Sequence, residues 1–273
     1  MIEGLDFRRI VVQLPYNTRD IGAVRAAARM AELLQLDLLG TFIEDARLIE
    51  AANLPDIREL RPTGGWQPIS AAQIRQEFIQ AATASRHTFE SITNARAGQT
   101  AFAFIRGSPA NVIGSLAQKE DILAIIEPAS VLERGTHQFD RTLSTALGTK
   151  AAVMVLPSRV IRTTGPIVAV ASSQADPCIR LARAIASAAK ERMIVARPSV
   201  LRNHFTVAET MQPEGFIAIG GTDVKRNVQF ERPAWQSDCQ EHLIVMTRGT
   251  FEDALPSAIA SRRRVPVLVT EPD

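Results

Sequence analysis

Ile10-Val11-Val12-Gln13-Leu14-Pro15-Tyr16-Asn17 is the stretch on which the fold turns. A short β-branched run, the right length for a buried strand, is closed at once by a Pro-Tyr-Asn turn signal. Residues 20–36 follow, with Val24, Ala27, Ala28, Ala31 and Leu34 spaced to form one apolar face of a helix. Residues 38–43 make the next apolar run, ended by Glu44-Asp45. Strand, helix and strand in this order read as a parallel pair joined by a crossover, because a tight turn cannot connect parallel strands.

The alternation continues outward. Residues 47–60 read as a short helix broken by Arg61-Pro62-Thr63-Gly64-Gly65. Residues 70–95 read as a long helix, with Ile74, Phe78, Ala81, Ala82 and Phe89 at helical intervals. A strand at 101–105, a helix from Pro109, a strand at 122–126, a helix at 139–147 and a strand at 152–156 complete the set. Five strands separated by helices imply a parallel sheet covered on both faces. Residues 159–165 are polar and short, a linker, and then the plan restarts. Residues 166–171 repeat the opening strand, and Asp176-Pro177 supplies an N-cap and first turn for a helix to about residue 191. Strands at 193–196, 216–219, 243–246 and 265–269 follow, while 220–239 carries little to assign. The expected fold is α/β: two doubly wound domains, each with a mainly parallel five-stranded sheet, at residues 1–158 and 166–273 around the 159–165 linker.

Composition narrows the function classes. The chain has 273 residues, 46% hydrophobic and 22% charged, an ordinary globular balance. A net charge of +2 is too small to argue for a nucleic-acid surface. The run Arg262-Arg263-Arg264 reads as the solvated end of a helix. No stretch approaches the roughly 20 apolar residues of a membrane span, and the N-terminus has no signal-peptide pattern, so a cytoplasmic location is expected. Cys178 and Cys239 form neither a disulfide framework nor a metal signature.

The opening strand, the Ala/Arg-rich helix and the second strand ending Phe42-Ile43-Glu44-Asp45 resemble the start of universal stress proteins. Arg106-Gly107-Ser108-Pro109-Ala110-Asn111-Val112-Ile113 resembles that family's Gly-x-Pro-x-x-x-Ile turn into the third helix, and Pro266-Val267-Leu268-Val269 its terminal strand. The resemblance implies a tandem of two universal-stress-protein-like, adenine nucleotide alpha hydrolase-like domains that pair through their last strands, 152–156 and 265–269, as a pseudo-dimer. Any homodimer would then use other surfaces.

Nucleotide-binding members of that family carry three features at the carboxyl ends of the strands: an Asp ending strand one, the Gly-x-Pro turn, and a G-x-x-G-x9-G-[ST] loop after strand four that cradles phosphate. Here the Asp position falls on Pro15 in the first domain and Ser172 in the second. Strand four ends Ile126-Glu127-Pro128-Ala129-Ser130, without the first two glycines, and Glu127 puts negative charge where phosphate would sit. Gly135, Gln138 and Gly148-Thr149 match the loop intervals with one substitution, but Gly148 lies just before strand five and reads as a helix C-cap. Met246-Thr247-Arg248-Gly249-Thr250 leaves no room for the loop in the second half.

The candidate ligand-binding residues are Gln13, Pro15, Gly107, Ser108, Pro109, Glu127, Arg134 and Gly135, with no catalytic residue, no metal and no cofactor expected beyond an ATP option. Gly107-Ser108-Pro109 also has a plain reading as a strand-to-helix turn with Ser108 as N-cap, and Gly220-Gly221-Thr222-Asp223 as a simple turn. Cys178 in a helix first turn reads as a packed thiol. His137 near Glu133 and Asp140 reads as part of a solvated loop, and no pair among His87, His137, His204 and His242 has metal spacing. The insertion at 45–70 is open between a partner-binding helix, a lid and a segment packed on its own domain. The function expected is a non-enzymatic stress-response or regulatory module binding a partner protein or small ligand. The alternative is a nucleotide-binding, weakly ATP-hydrolysing member using the Gly107 turn with Arg134 and Arg141 as phosphate clamps.

Overall fold

A computed structural model describes residues 6–16, 21–54, 58–60, 64–68, 70–94, 98–128, 137–198, 216–219, 229–231, 240–250 and 255–272. Its first half runs β1 (Arg9–Leu14), α1 (Ile21–Leu33), β2 (Asp37–Asp45), α2 (Ala46–Ala52), β3 (Arg58–Leu60), β4 (Trp66–Pro68), α3 (Ala71–Thr93), β5 (Thr100–Gly107), α4 (Pro109–Leu116), β6 (Asp121–Ile126), α5 (His137–Leu147) and β7 (Ala152–Leu156). Its second half runs β8 (Ile167–Val170), α6 (Pro177–Ala189), β9 (Met193–Ala196), β10 (Phe216–Ile219), β11 (Gln229–Glu231), β12 (Leu243–Thr247), α7 (Leu255–Arg263) and β13 (Val267–Thr270).

Both halves share one eleven-stranded sheet of order β11-β10-β9-β8-β12-β13-β7-β6-β1-β2-β5. Setting aside the β3–β4 hairpin and β11, each half has the order 3-2-1-4-5, reversing between β1 and β6 in one and between β8 and β12 in the other. The halves join where β7 meets β13 antiparallel, with Val155 opposite Val267 and Val153 opposite Val269. This is the pairing expected of the last strands. Within the first half all four contacts of β5, β2, β1, β6 and β7 are parallel. The second half is mainly parallel as expected, through β9, β8, β12 and β13, while β10 pairs β9 antiparallel and β11 adds a further antiparallel strand.

Strand side chains alternate between two cores. One face collects Ile10, Val12, Leu38, Ile122, Ala152, Ala169 and Val245 under α1, α3 and α6. The other collects Val11, Leu123, Val153, Val168 and Ile244 under α4, α5 and α7. Each core crosses the seam between the halves, which welds them more closely than a linker alone would. β6, β7, β8 and β12 are buried along their whole lengths, matching their unbroken apolar sequence.

Two local readings are corrected. The helix expected over 47–60 stops at Ala52, capped by Asn53, and Arg58–Leu60 pairs with Trp66–Pro68 as a hairpin. Gly64-Gly65, read as part of a helix breaker, instead lead directly into the second strand of this hairpin. The Arg262-Arg263-Arg264 run is not simply solvated: Arg263 donates to the buried Glu241 at 2.6 and 2.8 Å.

Candidate functional site

Open α/β sheets bind ligands outside the carboxyl ends of their strands, at the point where strand order reverses. In the first half that point lies between the ends of β1 and β6. Gln13 stands there in register with Thr41 on one side and Ile125 on the other. Pro15 follows β1 and its carbonyl accepts from the Ser85 hydroxyl of α3 at 3.5 Å. A small cleft, partly open to solvent and with room for little more than a water molecule, lies beside it and is lined by Leu14, Pro15, Ile21, Val24, Ser85, Thr88 and Phe89. Its walls are almost wholly apolar and supply no charge for a phosphate.

Gly107 ends β5 opposite Asp45 of β2. Its φ is +156° and a Cβ there would lie 2.8 Å from Val112, so glycine is required for α4 to pack this close to the strand. Ser108 takes the N-cap conformation and Pro109 the first helical turn, but the Ser108 hydroxyl makes no cap bond. The Gly107 turn is thus accounted for by packing. From Gly107 to the end of β6 there are three strand spacings, about 14 Å at 4.8 Å each. Gly107 and Glu127 are not brought together. Arg134, Gly135, Glu133, Cys239, His204 and the 220–223 turn lie outside the described residues, as does the side chain of His137.

Glu127 is 1% exposed. Its N–H donates to Leu156 at 2.8 Å and its carboxylate accepts the hydroxyl of Ser257, in the first turn of α7. The candidate therefore reaches across the seam into the other half. Arg248 holds the same place after β12: its N–H donates to Thr270, the last residue of β13, at 2.7 Å. Its guanidinium also crosses the seam, donating to the carbonyls of Thr149 and of Ala151 (2.7 Å) and to Glu271 at 2.8 Å. Gly148 sits at the end of α5 with its N–H on Ser144, the C-cap place expected of it.

The second switch point, between β8 and β12, is bridged by a carboxylate. Asp176 caps α6 through the Cys178 N–H at 3.2 Å, accepts the Ser172 N–H at 3.1 Å, and accepts the Thr247 hydroxyl at the end of β12. Burial opposes its ionisation, but these donors outweigh it and hold the carboxyl below its ordinary range. Cys178 is fully buried, donates to the Val170 carbonyl at 3.3 Å, and has its thiol pKa pushed up by burial and by Asp176. It is the packed thiol the sequence suggests. The Asp176 cap was legible; its reach to Thr247 was not, since nothing local couples residues 71 positions apart.

Carboxylates at the end of β2 are also paired. Glu44 is bonded by Arg106, its register partner on β5, and Asp45 caps α2 while accepting Arg47 at 2.8 and 3.0 Å. Beside them Phe42, Phe78, Phe104 and Tyr16 form a ring cluster, with Phe104 stacked on Phe42 at 6.0 Å. Burial and then Glu77 raise the Tyr16 hydroxyl pKa. Within the insertion, Ile49 and Ala52 of α2 pack inward while Leu48, Leu54 and Trp66 stay exposed. Among the described residues no group of three His, Cys, Asp or Glu side chains is placed to hold a metal, and no helix is long and apolar enough to cross a membrane.

No protein-family model and no curated protein sequence matches the chain. Solved structures do. A universal stress protein from Archaeoglobus fulgidus is similar over 96% of this chain and 98% of its own, at 12% identity and a TM-score of 0.59. A putative universal stress protein from Pseudomonas aeruginosa UCBPP-PA14 aligns over 98% of this chain and 94% of its own at 13% identity and TM-score 0.48. A protein of unknown function from Pseudomonas aeruginosa PAO1 aligns over 98% and 93% at 15% identity and TM-score 0.48. The sheet order, its reversal points and the full-length match to the Archaeoglobus protein give one conclusion: this chain has the universal stress protein fold.

Proposed function

We propose that this protein is a non-enzymatic regulatory module of the universal stress protein type, binding a partner protein or small ligand, and that phosphate gripping of the family kind has been replaced by contacts between its halves. The observation that carries this reading is the use made of the position after the fourth strand. Where nucleotide-binding members resembling this chain begin a glycine-rich phosphate loop, Glu127 and Arg248 each send a side chain across the seam. A carboxylate buried beside Ser257 repels phosphate and cannot leave without stranding that hydroxyl. Pro15, at the place of the adenine-side Asp, offers no acceptor side chain.

Partner binding is supported by where apolar groups reach solvent. Tyr16 and Phe104, which meet in the ring cluster around Phe42, are 52% and 44% exposed. Apolar clusters that reach solvent in this way can mark interaction surfaces. The domain bounds 1–158 and 166–273 and a cytoplasmic site of action are part of the same proposal.

Calorimetric titration of the full chain with ATP and with ADP, with and without magnesium, tests it. We expect no saturable heat at micromolar to submillimolar nucleotide and no phosphate release. A saturable micromolar isotherm would overturn the loss of nucleotide binding, and ATP turnover would overturn the non-enzymatic assignment.

A further inference from the structure

Strand β5 closes one end of the sheet. Among the described residues its outer edge carries no partner strand, and each of its eight residues is exposed or half-buried, none fully buried. Natural edges of this length are normally guarded by lysine, proline or a bulge. Thr100-Ala101-Phe102-Ala103-Phe104-Ile105 contains no charge and no proline, and Phe104 is 44% exposed. Arg106, the one charge on the strand, is drawn to Glu44 on the inner neighbour β2.

The centre of the strand, Phe102-Ala103-Phe104, is symmetric about Ala103. Phe102 and Phe104 flank it, then Ala101 and Ile105, then Thr100 and Arg106. We propose that two copies of this chain pair antiparallel through β5, about a two-fold axis at Ala103. The register follows from the pleat. A two-fold perpendicular to the sheet leaves each face on its own side, so directly opposed residues must share a face and differ by an even number. Centred on Ala103, each Phe102 opposes Phe104 of the second copy on the face covered by α3, where Phe102 already meets Phe89. Ala101 opposes Ile105 on the other face. Opposed side chains stand about 4.5–5.5 Å apart, close enough for two aromatic pairs that cover the exposed part of Phe104.

Charge allows this register. Each Arg106 lies opposite an uncharged Thr100, and the two Arg106 groups are six residues apart along the ladder, roughly 20 Å. Pairing β5 with the opposite end of the sheet, β11, would be a heterologous contact that propagates into filaments, whereas β5 with β5 closes at two copies. Seven opposed residues span about 23 Å, less than a standard interface of ~800 Å2 per partner requires from strands alone. The expected dimer is therefore weak, with a dissociation constant of about micromolar order.

Sedimentation equilibrium of the full chain from about 1 to 200 µM tests the proposal. Two exposed substitutions fix the register without touching the core, because Thr100 opposes Arg106 of the second copy twice per dimer. Thr100→Glu should tighten the dimer roughly three- to tenfold and Thr100→Arg should weaken it by a similar factor. Circular dichroism confirms that both variants stay folded. A monomer at every concentration, or a dimer indifferent to both substitutions, overturns it. A dimer that responds to the two in opposite directions supports it. The outcome is independent of whether nucleotide binds.

Discussion

The two halves place opposite charges at one topological position. Glu127 follows β6 and Arg248 follows β12; each donates its N–H to the last residue of the adjacent fifth strand, Leu156 or Thr270. One side chain is an acceptor that takes a hydroxyl from α7, the other a donor that takes two carbonyls from the approach to β7. Antiparallel pairing of β7 with β13 explains why both turn the same way. It sets the carboxyl end of each half beside the amino end of the other, so a residue leaving strand four faces foreign backbone before it faces solvent. A position that could grip a ligand in a separate domain becomes a fastener in a fused pair.

Arg248 is the stronger fastener. Arg248→Ala strands the carbonyls of Thr149 and Ala151 and removes the Glu271 ion pair. Loss of about 3 kcal/mol is expected in urea unfolding, with an unchanged m-value if both halves still unfold together. Retention of wild-type stability would mean the guanidinium is not holding the seam. Arg248→Lys should recover little, since an ammonium cannot span two carbonyls and a carboxylate as the planar guanidinium does.

Ser257→Ala probes the other side. It withdraws a hydroxyl from a carboxylate that is nearly inaccessible to water, for an expected loss of about 2 kcal/mol. The comparison sharpens in the double variant. Glu127→Leu in the Ser257→Ala background removes the buried charge that the first change left short of a donor, and stability should rise part of the way back. Arg248 has no such rescue for the Thr149 and Ala151 carbonyls, because those acceptors are backbone and cannot be removed with a second substitution. Additive losses in the Glu127/Ser257 pair would show that the contact carries no coupling.

What the sequence disclosed, and what it hid, divides along range. The run from Ile10 to Leu14 and its repeat near Ile167–Val170 announced two βαβ plans because buried parallel strands must be apolar on both faces. The Asp176-Pro177 cap and the Gly148 helix end were equally local, and both stand where they were expected. The hairpin β3–β4 was missed because a three-residue pairing leaves no period to read, and the Gly64-Gly65 signal fitted a broken helix as well. The antiparallel entry of β10 left no trace in Phe216–Ile219, whose apolar residues suit either direction. The seam contacts were beyond reach. Glu127 and Ser257 are 130 positions apart, and only the β7–β13 register brings them together. Thus the framework of the candidate site was legible, while the fate of its most charged member was not.

The smallest expected effect concerns the second switch point, where Asp176 caps α6 four residues after Ser172, the counterpart of Pro15. The Asp176 carboxyl titrates below the ordinary carboxylate value of about 4 because the donors of Thr247, Ser172 and Cys178 outweigh its partial burial. A folded pKa below the unfolded one means that the unfolded chain binds the proton more readily. The stabilisation is therefore complete above about pH 4 and is lost as pH falls through the folded value. Thr247→Val keeps the shape of a buried side chain and deletes one donor, so the Asp176 carboxyl should titrate higher and the variant should lose less stability on acidification below pH 4. Carboxyl-carbon NMR titration of Asp176, run beside urea unfolding from pH 2 to 6, reads both quantities. Parallel stability curves with an unmoved Asp176 titration would break the link between β12 and the α6 cap, leaving the α6 cap to depend on the Ser172 and Cys178 amides alone.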